Sequence, residues 1–121
     1  MRILLVDDER DLVAALAERF SFRGIDADFA TSGDDALNMA KENAYDLAVL
    51  DVKMPKISGL ELSKRLYRIL PEMKCIFLTG HGSALDFEAG ASSGAPYLVK
   101  PVNIDLLVKE IHKVLGTGED G

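Results

Sequence analysis

Five residues of this chain carry reactive groups at the ends of short apolar runs. Asp7 and Asp8 follow ILLV, Asp51 follows LAVL, Thr79 follows CIFL and Lys100 follows YLV. A run suited to a dry interior gains nothing by finishing on a charge, so each of these ends raises the question of what it meets. A carboxylate is a competent nucleophile toward phosphorus and can carry an aspartyl phosphate. A lysine and a hydroxyl suit the phosphoryl oxygens, because phosphoryl transfer is helped chiefly by positioning and by neutralisation of charge. If the three aspartates share one pocket, two like charges about 4 Å apart repel by roughly 4 kcal/mol at an effective dielectric of about 20. Lys100 offsets only one of these charges. A divalent cation would offset the remainder, and an oxygen set of carboxylates, a carbonyl and waters suits Mg²⁺.

Taken singly, each residue has a plainer role. Asp7 and Asp8 are of the type that caps a helix, Thr79 is β-branched and at home in a strand, and Lys100 precedes Pro101 as many turn residues do. Only their convergence makes a site, and convergence depends on the elements that carry them.

The apolar runs are Ile3 to Val6, Ile25 to Phe29, Leu47 to Leu50, Cys75 to Leu78 and Tyr97 to Val99. Four of the five lack polar alternation, as expected of strands covered on both faces, whereas IDADF alternates and fits an edge. Between them the period is helical. Leu12, Leu16 and Phe20 share one face, with Gly24 placed to end that helix. Ser32 precedes a second helix with Asp34 and Asp35 in its first turn, and Ser58 with Glu61 fits a capping box ahead of a third, which Pro71 closes. The segment SALDFEAGASSG makes a poor helix, since each interior Gly costs about 1 kcal/mol relative to Ala, so the fourth helix is expected to be short or mobile. Asn103 caps a last helix bearing Leu107, Ile111, Val114 and Leu115 on its apolar face.

This order, strand then helix five times over, predicts a doubly wound parallel sheet. In the flavodoxin-like strand order 2-1-3-4-5, strand one lies beside strand three, and ligands bind at the carboxyl ends of the strands. That order brings Asp7, Asp8 and Asp51 together.

The bulk composition narrows the function classes. With 121 residues the chain buries one core, residues 1–116 forming the domain and 117–121 a flexible tail or the start of a linker. A net charge of −6 argues against a nucleic-acid partner, which needs clustered Lys and Arg. The lone Cys75 forms no internal disulfide and reads as a buried thiol in a reducing compartment. The start MRILLV meets charge at once at Asp7, too early for a signal peptide or a membrane span. A cytoplasmic location is expected.

Over residues 1 to about 115 the sequence resembles the receiver domain of two-component response regulators, through LLVDDE, LDVKMPKISGLEL, FLTGHG and YLVKP in this order and spacing. The resemblance implies that Asp51 accepts a phosphoryl group from a sensor histidine kinase or a histidine phosphotransfer protein. It implies Mg²⁺ held by Asp8, Asp51 and the backbone carbonyl of Lys53, with Asp7 acting through a water. It further implies that Thr79 and Lys100 contact the phosphoryl oxygens and that the Lys100–Pro101 bond is cis. Thr79 and Tyr97 would form the switch that reshapes the surface of the fourth helix, fifth strand and fifth helix toward an unknown downstream effector, with a phosphorylation-dependent homodimer compatible with that surface. Such a domain catalyses only its own phosphorylation and dephosphorylation and is not an enzyme of metabolism. One departure stands out: a single residue, Pro96, separates the Gly94–Ala95 pair from Tyr97, where the family usually has two.

Other classes fit less well. A flavin-phosphate site would want a loop of Gly, Ser or Thr after strand one, where DDERD offers anionic repulsion. A phosphatase of the haloacid dehalogenase type would want a second aspartate two residues after Asp51, at the place of Lys53. His81 has no second histidine near it in sequence and fits a residue tuning the access of water. A receiver-like interaction module that is never phosphorylated is the remaining alternative.

Overall fold

The computed structural model describes residues 1–80 and 95–116. In chain order the elements are β1 (Arg2–Val6), α1 (Arg10–Phe22), β2 (Asp26–Ala30), α2 (Gly33–Glu42), β3 (Leu47–Asp51), α3 (Gly59–Ile69), β4 (Lys74–Thr79), β5 (Tyr97–Val99) and α4 (Ile104–Leu115). The five strands form one parallel sheet in the order β2-β1-β3-β4-β5, as expected, with β2 at an edge. The helix predicted within Ser83 to Ser93 lies outside the described residues.

The unalternating apolar runs are explained by two cores, one on each face of the sheet, where the chain length alone predicted one; a sheet covered by helices on both faces divides its buried residues into two layers. Leu4, Val6, Ala48, Leu50 and Phe77 pack with Ala36 and Ala40 of α2 and with Leu62 and Leu66 of α3. Their neighbours Ile3, Leu5, Leu47, Val49, Ile76 and Leu78 point the other way, onto Val13, Leu16 and Phe20 of α1 and Leu107 and Ile111 of α4. Successive strand residues thus alternate between two dry faces, so both must be apolar.

The caps agree with the sequence at most ends. Ser32, Ser58 and Asn103 each accept a hydrogen bond at 3.1 Å, from the N–H of Asp35, Glu61 and Leu106 respectively. Ser58 and Glu61 form only half of a capping box, since the Glu61 carboxylate is directed along the helix to Arg65, 3.6 Å away. Gly24 ends α1 with φ +77°, a left-handed conformation that favours glycine. The N-cap of α1 is Glu9, which leaves Asp7 and Asp8 clear of the helix. Strand β2 starts one residue later than expected, and Cys75 is half-buried, its thiol pushed up to about 11 by burial.

Candidate functional site

The register of the sheet assembles the site. Val6 pairs with Leu50, so the residues that follow, Asp7 and Asp51, emerge side by side at the carboxyl end of the sheet. Thr79 pairs with Val99, and the N–H of Lys100 donates to the Thr79 carbonyl at 2.7 Å, extending the β4–β5 ladder to the lysine. Asp7, Asp8 and Asp51 each offer a carboxylate oxygen, all within 4.8 Å of one another. Asp7, Asp51 and Thr79 are buried, at 1%, 5% and 1% exposure, while Asp8 faces solvent. The Lys100 ammonium reaches into this group, 2.6 Å from Asp7 Oδ2 and 3.6 Å from Asp51 Oδ1. The Lys100–Pro101 peptide bond is cis.

The electrostatics follow from crowding. Burial, with the charges of Asp7 and Asp8, pushes the Asp51 carboxyl up from its ordinary 3.8 to about 6, although Lys100 and a hydrogen bond from the Lys53 N–H pull the other way. Burial alone would lower the Lys100 ammonium, but its hydrogen bonds to Asp7 and Glu9 and the charges of Asp7 and Asp51 outweigh burial and raise it. One lysine therefore fails to balance the pocket. An excess of negative charge on hard oxygens is the donor chemistry that a small divalent cation satisfies.

Two contributors were missed in the sequence. Gly59 begins α3 so close to β3 that a Cβ there would sit 2.2 Å from the Asp51 carbonyl oxygen, and its N–H donates to Val52 O at 2.8 Å. The Ser-Gly pair ahead of an amphipathic helix was the available signal. Glu9 places Oε1 3.0 Å from Lys100 Nζ, a contact between residues remote in the chain. Tyr97 lies half-buried with its ring tilted against Phe77, centroids 5.9 Å apart, and Lys53 is exposed on the loop after β3. His81 lies outside the described residues.

A doubly wound sheet in this order, with acidic residues gathered at its switch point, defines a CheY-like signalling domain. The chain belongs to the response regulator receiver domain family, whose model matches residues 3–112. It is 37% identical over 92% of its length to the transcriptional regulatory protein DltR of Streptococcus agalactiae and 36% identical over 95% to the response regulator MprA of Mycobacterium leprae. It spans about half the length of these curated relatives, 50% and 51%. Among solved structures, a CheY-like receiver domain protein from Methanospirillum hungatei superposes with a TM-score of 0.87 at 30% identity, covering 96% of this chain and 94% of that one. A response regulator from Burkholderia pseudomallei, solved with a phosphorylated aspartic acid, calcium ion and citrate, superposes with a TM-score of 0.85 at 26% identity, covering 96% and 69%. Among the described residues no helix is long and apolar enough to cross a membrane.

Proposed function

We propose that this receiver domain accepts a phosphoryl group on Asp51 from the phosphohistidine of a sensor kinase or phosphotransfer protein. The supporting observation is the convergence of Asp7, Asp8 and Asp51 within 4.8 Å, with Lys100 Nζ 3.6 Å from the Asp51 carboxylate. An Asp51 oxygen attacks phosphorus, the phosphorus–nitrogen bond to the donor imidazole breaks, and the imidazole leaves with the bonding pair. Lys100 and the Thr79 hydroxyl receive the phosphoryl oxygens. The donor set of Asp7, Asp8, Asp51 and the Lys53 carbonyl fits Mg²⁺, which when bound supplies the positive charge that the pocket and the incoming phosphoryl group both lack. The phosphorylated aspartate and calcium ion in the Burkholderia relative support this reading.

Phosphorylation then shifts a population of conformers through Thr79 and Tyr97, changing the face that an effector or a second copy recognises. The domain turns over no metabolite and works in the cytoplasm, where kinase phosphohistidines are presented. The relatives named as regulators, about twice as long as this chain, support control of an output module.

The test is incubation with acetyl phosphate and Mg²⁺ followed by intact-mass measurement. The wild type should gain one phosphoryl group, and Asp51→Asn or removal of Mg²⁺ by EDTA should abolish the gain. A wild type that stays unmodified would leave a receiver-like interaction module that is not phosphorylated.

A further inference from the structure

Lysine has three ammonium donors, and Lys100 has three carboxylates around it. Nζ lies 2.6 Å from Asp7 Oδ2, 3.0 Å from Glu9 Oε1 and 3.6 Å from Asp51 Oδ1, so it sits nearer to both residues of the β1 end than to Asp51. Asp7 is fixed in place, buried and with its other oxygen accepting from the Glu9 N–H at 2.9 Å. Glu9 is held differently. Its side chain is 65% exposed, and although Glu9 is the N-cap of α1, that side chain makes no capping hydrogen bond. Its carboxylate is directed to Lys100 across 91 positions of sequence instead of to its own helix.

We propose that Glu9 is a positioning residue that holds the Lys100 ammonium toward the mouth of the pocket and, through its own negative charge there, slows the approach of an anionic phosphoryl donor. The proposal rests on Asp51 as the phosphoacceptor and adds a control on its rate. Glu9 and the donor carry like charge, and Glu9 also competes with the phosphoryl oxygens for a Lys100 donor. Removing that charge weakens the hold on one N–H of Lys100, since a neutral amide oxygen accepts less strongly than a carboxylate, and lowers the barrier to an incoming anion. Because Glu9 is exposed, salt screens its effect, which confines it to low ionic strength.

The experiment compares wild type, Glu9→Gln and Glu9→Asp. Rates of phosphoryl gain from acetyl phosphate with Mg²⁺ are followed by intact mass at low and high salt, and the Lys100 side-chain resonances are followed by NMR in the metal-free proteins. Glu9→Gln should react about two- to fivefold faster at low salt, the range open to an exposed ion pair, with the advantage shrinking at high salt. Glu9→Asp should fall between, and the Lys100 resonances should move in Glu9→Gln more than in Glu9→Asp. An unchanged or slower Glu9→Gln rate, or unmoved Lys100 resonances, would overturn the proposal while the phosphoacceptor reading stands. Absence of phosphoryl gain in the wild type would instead remove the phosphoacceptor reading, and the rate control with it.

Discussion

Asp51 is a carboxyl group in surroundings that oppose its own charge. Burial and the carboxylates of Asp7 and Asp8 raise it to about 6 from an ordinary 3.8. Between those two pH values the folded, metal-free chain holds a proton that the unfolded chain has released, so stability falls as pH rises through this window. The penalty is largest above about pH 6, where it amounts to roughly 3 kcal/mol at most. Asp51→Asn removes it. In EDTA, urea unfolding should find Asp51→Asn more stable than wild type near neutral pH, with the gap closing toward about pH 4, and Mg²⁺ should narrow or reverse it. A constant gap from acid to neutral pH would show that Asp51 is not strained by its neighbours. The residues that converge here, Asp7, Asp8, Asp51 and Lys100, were conspicuous one by one because each is a charge ending a dry strand. Glu9 was not, since a glutamate opening a helix is commonplace and its partner Lys100 lies far along the chain.

At the scale of elements, the site depends on how α3 starts. The Gly59 N–H anchors this start to Val52, and the absence of a side chain lets the helix approach the Asp51 carbonyl. Gly59→Ala forces the loop from Val52 to Ser58 away from β3 and should cost about 1–3 kcal/mol, the usual range for overpacking. Its phosphoryl gain should slow as well, because Asp51 and the Lys53 backbone move with the loop. Equal stability and equal rate for Gly59→Ala would show that the loop yields freely. The succession of strands and helices, the helix faces and three of the caps could be read from periodicity and from Ser32, Ser58 and Asn103, whose local chemistry is self-contained, while the lateral strand order came from the flavodoxin-like pattern and not from periodicity. Loop geometry could not. Lys56 adopts φ +74° within that loop, a conformation rare for a lysine, and nothing in MPKIS signals it.

The described residues form a sheet with two cores whose carboxyl end gathers three carboxylates around one lysine and is left electrostatically unbalanced. That imbalance couples metal binding to stability, since a ligand that binds only the folded state adds about 2.7 kcal/mol at a hundredfold excess over its dissociation constant. Mg²⁺ should therefore raise the melting temperature of the wild type and raise that of Asp8→Ala far less. Equal shifts would place the ion elsewhere. The unalternating runs foreshadowed two covered faces although the chain length suggested one core, and Lys100 was expected in the pocket from its place at a strand end, whereas its division among Asp7, Glu9 and Asp51 required the register of β4 on β5, which no local pattern encodes.

An acyl phosphate is reduced by borohydride, which converts the aspartate that carried it to homoserine. After reaction with acetyl phosphate and Mg²⁺, borohydride treatment and peptide mapping should find homoserine at position 51 alone. Homoserine at another aspartate, or phosphoryl gain with none at position 51, would contradict the assignment of Asp51 as the residue around which this site is built.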